Sequence, residues 1–89
     1  MKVPHYTRQF KKDLRLAQRR GKDIGVLKRI MTQLVEGHAL SEKYKDHPLR
    51  GEFERYRECH IEPDWLLIYK STPSEIHFVR AGTHSDLFE

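Results

Sequence analysis

The sequence predicts an α+β domain in which two N-terminal helices pack on one face of a small, twisted, mainly antiparallel sheet. Apolar residues recur at helical spacing through residues 1–37 and alternate with polar residues from position 52 onward. Helices that precede a run of strands are typical of this class, because they segregate to one side of the sheet. A chain of 89 residues, 37% of them hydrophobic, has material for one core, so we predict a single domain over residues 1–89.

The first elements are a short strand and a helix. Residues 3–6 are predicted to form an edge strand, where Pro4 is tolerated because an edge does not need every N–H. Thr7 is a suitable N-cap for a helix that runs to about Arg20 and stops at Gly21. The buried stripe of this helix consists of apolar residues at helical spacing: Phe10, Leu14 and Ala17.

A second helix and a loop follow. Asp23 is predicted to cap the helix, which ends near Gly37 and forms a hairpin with the first across the sheet. Residues 38–49 are predicted to be a polar loop ending in a turn, in which His47 is extended because it precedes proline. The apolar face of the second helix is broader than that of the first: Ile24, Leu27, Ile30, Met31, Leu34 and Val35.

Consecutive antiparallel strands are predicted over the rest of the chain, with Thr72-Pro73-Ser74 as the last hairpin turn. Strict alternation places Glu58 and His60 on one face of their strand. In the last strand, alternation places Arg80 on the same face as Phe78. The predicted strands cover residues 53–55, 56–62, 65–71 and 75–81.

Charge is distributed unevenly along the chain. Residues 1–37 contain ten Lys/Arg and three Asp/Glu, a net charge of +7, whereas residues 38–89 contain seven and ten, a net charge of −3. A basic half suggests a polyanionic partner, since neutralising phosphates releases counterions, although a solvated helix face has the same pattern. The basic side chains of the first helix line up at spacings of three or four residues: Arg8, Lys12, Arg15, Arg19 and Lys22.

The composition also limits the environment of the protein. The single cysteine, Cys59, precludes an intramolecular disulfide and fits a reducing compartment. The longest apolar run, residues 65–69, is too short to span a bilayer, and the first residues contain no apolar signal segment. We therefore expect a cytoplasmic protein with no membrane partner.

Three histidines lie at breaks between predicted elements, where a scaffold usually presents its chemistry: His47, His60 and His84. Imidazole is well suited to moving protons near neutral pH. Cleavage of RNA without a metal requires a base for the 2′-OH, an acid for the departing 5′-oxygen and a cation for the phosphorane. The histidines offer proton carriers, Asp64 a carboxylate that orients one of them, and Arg80 the cation.

Two aromatic side chains, Trp65 and Phe88, are candidates for stacking a splayed base, a contact worth about 1–3 kcal/mol each. Each candidate also has a structural interpretation. Trp65 begins the most apolar strand, and Phe88 is placed to anchor the C-terminus. Arg80 can instead pair with Glu58 or Asp64 at the surface. From the residues alone, both interpretations stay open.

A metal centre is the alternative chemistry. His47, His60, His84 and Asp64 are zinc ligands in kind. However, the chain has no local pair such as His-x-x-x-His or Cys-x-x-Cys, and Cys59 is predicted to face away from its neighbour His60. We therefore expect no metal and no other cofactor.

Three separated blocks of the chain, residues 44–51, 56–69 and 82–88, resemble the YafQ-type toxins of the RelE/ParE superfamily. They contain the motifs Asp46-His47-Pro48, Pro63-Asp64-Trp65 and Gly82-Thr83-His84, and the likeness extends over essentially the whole chain. The resemblance implies a RelE-like fold and the toxin half of a bacterial type II toxin–antitoxin pair. Such toxins are small endoribonucleases that cut mRNA, commonly in the ribosomal A site, and are silenced by a cognate antitoxin.

The resemblance also implies which positions are functional. Arg80 matches a basic position at the end of the corresponding strand, and Glu58 supplies a longer carboxylate at a position of the pattern that takes Asp. We expect the basic stripe of the first helix, Arg8, Lys12, Arg15 and Arg19, to contact the substrate. The other functional positions of the family fall on His47, His60, Asp64, Trp65, His84 and Phe88.

We predict that His84 is the general acid and that a pair of His60 and Asp64 acts on the base side. His47 orients the substrate or shares the role of the base. Arg80 steadies the phosphorane.

The expected partners are mRNA, the ribosome and a cognate antitoxin, a short, acidic and partly disordered chain. Operator DNA is expected to be contacted only through the antitoxin complex. Two other functions remain open. A non-catalytic toxin resembling the ParE gyrase poisons would keep its toxicity when histidines are replaced. A plain nucleic-acid-binding module would bind with a steep salt dependence and never cut.

Overall fold

The computed structural model describes residues 1–51 and 55–88. In this part of the chain, the strands form one sheet in the order β1-β5-β4-β3-β2, in which β1 is parallel to β5 and every other neighbour is antiparallel. The predicted α+β class is confirmed. The elements in chain order are β1 (Val3–Tyr6), α1 (Arg8–Arg19), α2 (Ile24–Val35), a 3₁₀ turn (Glu42–Tyr44), β2 (His47–Pro48), β3 (Arg57–Glu62), β4 (Trp65–Ser71), β5 (Glu75–Gly82) and α3 (His84–Phe88).

Both long helices begin and end where the sequence predicts. The side chain of Thr7 accepts a bond from the N–H three residues on at 2.9 Å, and the side chain of Asp23 does the same at 3.4 Å. Gly21 and Gly37 follow the helices at φ +75° and +80°, a conformation that glycine adopts without strain. Local signals therefore fix the helical hairpin.

The core lies between the helices and one face of the sheet. α1 contributes Phe10 and Ala17 to it, and Leu14 packs against it half-buried. From α2 the buried residues are Leu27, Ile30 and Leu34. The sheet contributes the alternate residues that face the helices: Cys59, Ile61, Trp65, Leu67, Tyr69, Ile76, Phe78 and Ala81. The intervening residues, including Glu58 and His60, therefore lie on the opposite face of the sheet, which we call the outer face.

Three local predictions differ from the structure. The predicted loop over residues 38–49 contains the 3₁₀ turn and β2, because His47 and Pro48 pair with β3. Of the predicted strand over residues 53–55, residues 53 and 54 lie outside the described residues, and Arg55 is a turn residue. The short helix α3 has no counterpart in the prediction, because five residues cannot display a helical repeat.

A β-bulge changes the direction of Arg80. The register between β4 and β5 shifts so that Val79 has no partner in β4, which interrupts the alternation of β5. The prediction that Arg80 shares a face with Phe78 is therefore wrong. Arg80 lies on the outer face in register with Glu58, and Ala81 takes its place in the core.

Candidate active site

Three imidazole rings converge on the outer face of the sheet. The ring centroids of His47 and His60 lie 5.9 Å apart, and those of His60 and His84 lie 6.0 Å apart. The rings come from β2, from β3 and from the first residue of α3. His60 thus lies within its strand, two residues before the end, rather than at a break. The structure brings together three predicted residues that are up to 37 positions apart in the chain.

The segment that carries His47 is fixed by its own backbone and by β4. Lys45 adopts a left-handed conformation with φ +49°, and its carbonyl oxygen accepts a bond from His47 Nδ1 at 2.6 Å. The adjacent Asp46 carboxylate accepts bonds from the Tyr69 hydroxyl at 2.6 Å and from Arg57 Nε at 3.3 Å. Burial and the bond to Asp46 raise the pKa of Tyr69, so its hydroxyl remains a donor. His47 is therefore presented by an anchored turn.

A buried carboxylate lies between two of the rings. Glu58 is 5% exposed, and its Oε1 lies 3.6 Å from His47 Nε2 and 3.4 Å from His60 Nε2. Because a carbonyl only accepts, the Lys45 oxygen holds the proton of His47 on Nδ1, and the neutral ring presents a bare Nε2 to the carboxylate. Protonation of either ring turns its contact with Glu58 into an ion pair. Glu58 is therefore the carboxylate that both rings face on this side of the site.

A second carboxylate holds the third ring. Oδ1 of Asp64 accepts bonds from the backbone N–H of His84 at 2.9 Å and from His84 Nδ1 at 2.6 Å. These two bonds hold the pKa of Asp64 below its ordinary value, the backbone bond most strongly. The predicted pairing of His60 with Asp64 is wrong, because the turn between β3 and β4 carries Asp64 towards α3. The carboxylate beside His60 is Glu58.

The start of α3 is anchored from a second direction. Oδ2 of Asp86 accepts bonds from the Thr83 N–H at 3.0 Å and from Arg20 Nη1 at 2.7 Å. The bond to Arg20, followed by the Thr83 backbone bond, lowers the pKa of Asp86 to about 2. A Cβ at Gly82 would lie 2.9 Å from the Asp86 Cβ, so this turn requires glycine. His84 is thereby held between Asp64 and the end of α1.

Arg80 is held by a residue that the sequence analysis did not select. Its Nε and Nη2 donate to the two carboxylate oxygens of Asp13 at 2.8 and 3.3 Å. The buried Asp13 also accepts bonds from the Ala81 N–H at 3.0 Å and from Gln9 Nε2 at 3.1 Å. This partner replaces both carboxylates suggested for Arg80, Glu58 and Asp64. The one feature of the sequence that points to this residue is that it is a lone acid within a basic helix, next to the apolar stripe of that helix.

The two aromatic candidates differ in accessibility. Trp65 is 1% exposed and belongs to the core, so its ring offers no face to a base, and the structural interpretation is the one the structure supports. The prediction that Trp65 stacks a base of the substrate is therefore wrong. Phe88 is 43% exposed, and its ring centroid lies 6.5 Å from that of His84. Phe88 is thus placed beside the site, whereas Trp65 packs in the core directly after Asp64 in the chain.

The basic stripe does not join the histidine cluster. α1 packs on the core face of the sheet, and the cluster lies on the outer face, so the sheet separates the two. Lys22, at the end of the stripe, is engaged with Glu62 at 3.1 Å and with the Trp65 ring. The remaining members are exposed on the side of α1 that faces solvent: Arg8, Lys12, Arg15 and Arg19.

Two groups of side chains among the described residues have the donor atoms for a metal ion. Potential ligand atoms of His47, Glu58 and His60 lie within 4.8 Å of one another, as do those of His5, Glu75 and His77. The first group differs from the ligand set considered from the sequence, because Asp64 and His84 bind each other. Burial raises the pKa of the Cys59 thiol to about 12, so this residue remains a neutral core side chain.

None of the helices in the described part of the chain is long and apolar enough to cross a bilayer.

Comparison with known proteins gives consistent matches over nearly the whole chain. The family model described as "Bacterial toxin of type II toxin-antitoxin system, YafQ" matches residues 2–89. The mRNA interferase toxin YafQ of Escherichia coli K12 is 50% identical over 84 residues, which cover 93% of this chain and 91% of the relative. A putative toxin YafQ of Haemophilus influenzae is 34% identical over 87 residues, 90% of this chain and 85% of that one.

Solved structures give the same result. A chain of the E. coli DinJ–YafQ toxin–antitoxin complex is 47% identical and superposes with a TM-score of 0.93, over 99% of this chain and 98% of that chain. A metal-bound toxin from Helicobacter pylori is 38% identical and superposes with a TM-score of 0.92, over 99% and 100% of the two chains.

Proposed function

This chain belongs to the YafQ family of bacterial type II toxins, and on that premise we propose that it is an endoribonuclease that cleaves mRNA. The observation that supports this reaction is the convergence of three imidazoles with two carboxylates, each carboxylate bonded to or beside a ring. One pair is Glu58 with His60, and the other is Asp64 with His84. A reaction that needs a base and an acid on opposite sides of a phosphate has both here.

The base is assigned to the pair of His60 and Glu58. The imidazole takes the proton of the ribose 2′-OH, and the 2′-oxygen attacks the adjacent phosphorus. The buried carboxylate, 3.4 Å from Nε2, stabilises the imidazolium that forms. His47 lies against the same carboxylate and shares the role of the base. This assignment replaces the pairing of His60 with Asp64.

The acid is assigned to His84. The Asp64 carboxylate accepts the proton on Nδ1 of His84, so Nε2 is the ring nitrogen that carries the proton given to the substrate. Nε2 gives that proton to the 5′-oxygen as the P–O5′ bond breaks. The products are one fragment that ends in a 2′,3′-cyclic phosphate and one that begins with a 5′-hydroxyl.

Arg80 stabilises the phosphorane in this scheme. Asp13 occupies Nε and Nη2 of its guanidinium, whereas Nη1 bonds to none of the residues that the structure describes. A guanidinium held on two sides keeps one nitrogen for a phosphate oxygen without losing its orientation. Phe88, beside His84, stacks a base of the substrate.

The reaction is proposed to proceed without a metal. His47, Glu58 and His60 can ligate a transition metal in kind, but an ion there would occupy the nitrogens that the base requires. Chelation is therefore expected to leave cleavage unchanged.

The proposed partners follow from the family. The E. coli relative is seen in complex with DinJ, and a cognate antitoxin is proposed for this chain as well. mRNA is the substrate, the ribosome is the place where it is presented, and operator DNA is contacted only through the antitoxin complex. The chain is proposed to act as a single domain over residues 1–89 in the cytoplasm.

The test is to incubate the purified chain with mRNA, with and without ribosomes and EDTA, and to map the fragment ends. Cyclic phosphate ends and a bell-shaped pH profile are expected. His84→Gln is expected to lower kcat by about 10²–10⁴-fold, whereas His38→Gln, an exposed histidine outside the cluster, keeps the wild-type rate.

Other outcomes would identify another function. If the His84→Gln and His60→Gln variants both cut at the wild-type rate, the catalytic assignment is wrong. Toxicity that survives both changes would indicate a poison that acts by contact, and RNA that is bound but never cut would indicate a plain binding module.

A further inference from the structure

A cavity of about 460 Å³ adjoins the histidine cluster, between α2, the 3₁₀ turn and the end of β3. His60 lies in its wall and therefore belongs to both the cavity and the cluster. Tyr44 and Ile61 are among the lining residues that supply apolar surface. This volume lies within the range of protein sites for small organic molecules, so a nucleotide is of suitable size.

The rim of this cavity is positively charged. Arg29, Lys43 and Lys45 line it, and none of them takes part in an ion pair with any residue in the described ranges 1–51 and 55–88. The acid on the rim, Glu62, is engaged by Lys22 at 3.1 Å. Unpaired cations at the mouth of an apolar cavity attract an anion that carries an apolar group.

Tyr44 gives the cavity an aromatic wall. Its side chain is half-buried and packs against the core, which fixes the ring. The Lys43 ammonium lies 5.1 Å from the ring centroid and covers that face of the ring, so a base that stacks on Tyr44 would take the place of the ammonium as Lys43 turns to the phosphate. A rigid aromatic ring beside basic groups is the usual platform for an unpaired base.

The same two segments of the chain contribute to the cavity and to the histidine cluster. Lys45 lines the cavity, and its carbonyl oxygen holds His47 two residues further on. β3 then supplies His60 to both. An RNA strand whose scissile phosphate lies among the three imidazoles would therefore meet this cavity with its next nucleotide.

We propose that this cavity binds the nucleotide adjacent to the scissile phosphate, with its base against Tyr44 and its outer phosphate between Arg29 and Lys43. The position of the scissile phosphate rests on the proposed function, whereas the binding of single-stranded RNA does not. This subsite lies at the edge of β3, next to His60 and on the side where α2 packs, and is separate from the basic stripe on α1.

Charge removal tests the subsite. The probe is a short single-stranded RNA with a 2′-deoxy sugar at the cleavage position, bound to the full chain without ribosomes. Arg29→Gln/Lys43→Gln is expected to weaken binding on the order of tenfold and to reduce the slope of log K against log salt by about 1.4. The matched control, Lys11→Gln/Lys28→Gln, removes the same net charge from exposed positions elsewhere and is expected to bind within about twofold of wild type.

A second pair of variants tests the stacking contact. Tyr44→Leu is expected to weaken binding about fivefold, and Tyr44→Phe, which keeps the ring, is expected to bind as wild type does. Equal thermal midpoints for the two variants confirm that the change acts on RNA rather than on folding. On cleavable RNA, the loss is expected in KM, with kcat within about twofold.

The results separate this proposal from the proposed function. If the chain binds the probe through Arg29, Lys43 and Tyr44 but cuts no RNA, the subsite is supported and the proposed nuclease activity is wrong. If the chain cuts RNA but the charge variant and its control bind the probe equally, the nuclease activity is supported and the subsite is wrong. A loss that appears only with ribosomes present also overturns it, because the cavity would then contact ribosomal RNA instead.

Discussion

Replacing Asp13 with Asn tests whether a buried carboxylate positions Arg80. Asp13 accepts four bonds, two of them from the Arg80 guanidinium and the others from Ala81 and Gln9. Asn has the same shape but only one acceptor oxygen, so its NH₂ group faces donors that it cannot pair with. Asp13→Asn therefore leaves a cation and a backbone N–H with fewer partners while creating no cavity.

The magnitude follows from the burial of the pair. Breaking a buried ion pair by neutralising one partner costs about 3–5 kcal/mol. The Arg80 side chain remains 31% exposed, so water restores part of its hydration, and we expect a loss of about 2 kcal/mol in the free energy of unfolding. For a domain of this size, such a loss lowers Tm by roughly 8–16 °C.

Urea and thermal unfolding measure this loss. A double-mutant cycle of Asp13→Asn with Arg80→Gln is expected to give a coupling energy of about 1 kcal/mol or more. Lys11→Gln, an exposed neighbour on α1, is the control and is expected to change stability by less than about 0.5 kcal/mol. Asp13→Asn is also expected to lower kcat, because Arg80 loses its orientation. A stability change below about 0.5 kcal/mol, or strictly additive effects, would refute the reasoning.

Two further predictions concern the anchors of the histidine-bearing segments. Tyr69→Phe removes the hydroxyl that donates to Asp46, and we expect a loss of about 1 kcal/mol of stability in urea unfolding. We also expect a lower kcat, because the turn before His47 loosens. An unchanged kcat would show that this anchor does not position the ring. The pKa of Asp86 is about 2 in the fold, below the ordinary 3.8, so its contact with Arg20 contributes stability above about pH 4 that is lost as the pH falls through 2. Asp86→Asn should therefore lower Tm at pH 5–7, and the difference from wild type should vanish towards pH 2; a constant difference across this range would contradict the assignment.

The features that the sequence predicted well are those that depend on neighbouring residues. The caps at Thr7 and Asp23 and the glycines after each helix act within one turn of the chain, so residue type alone identifies them. The alternation in β3 likewise placed Glu58 and His60 on one face, and the register with β4 agrees. Such local chemistry is sufficient to define the order of the elements.

The partners of the site residues were less predictable, because they are set by how elements pack. Asp64 binds His84, 20 residues further on, and Asp13 binds Arg80, 67 residues further on. The bulge at Val79 also reversed the faces of the residues that follow it, and no residue type in β5 marks its position. Which carboxylate serves which imidazole therefore depended on turn geometry.

The helices and the core cluster lie on one face of the sheet and the histidine cluster lies on the other, and Arg80 links the two faces. The histidines and their carboxylates lie on the outer face, where replacing them leaves the core intact. Arg80 lies on the same face, yet its partner Asp13 belongs to a helix that packs on the other side. Because β1 pairs with β5 only as far as Phe78, the edge of β5 beyond it is open, and Asp13 reaches the Ala81 N–H there. The proposed phosphate contact is therefore tied directly to the packing of α1, which is why a substitution at Asp13 should affect stability and turnover together, whereas substitutions at the histidines should affect turnover alone.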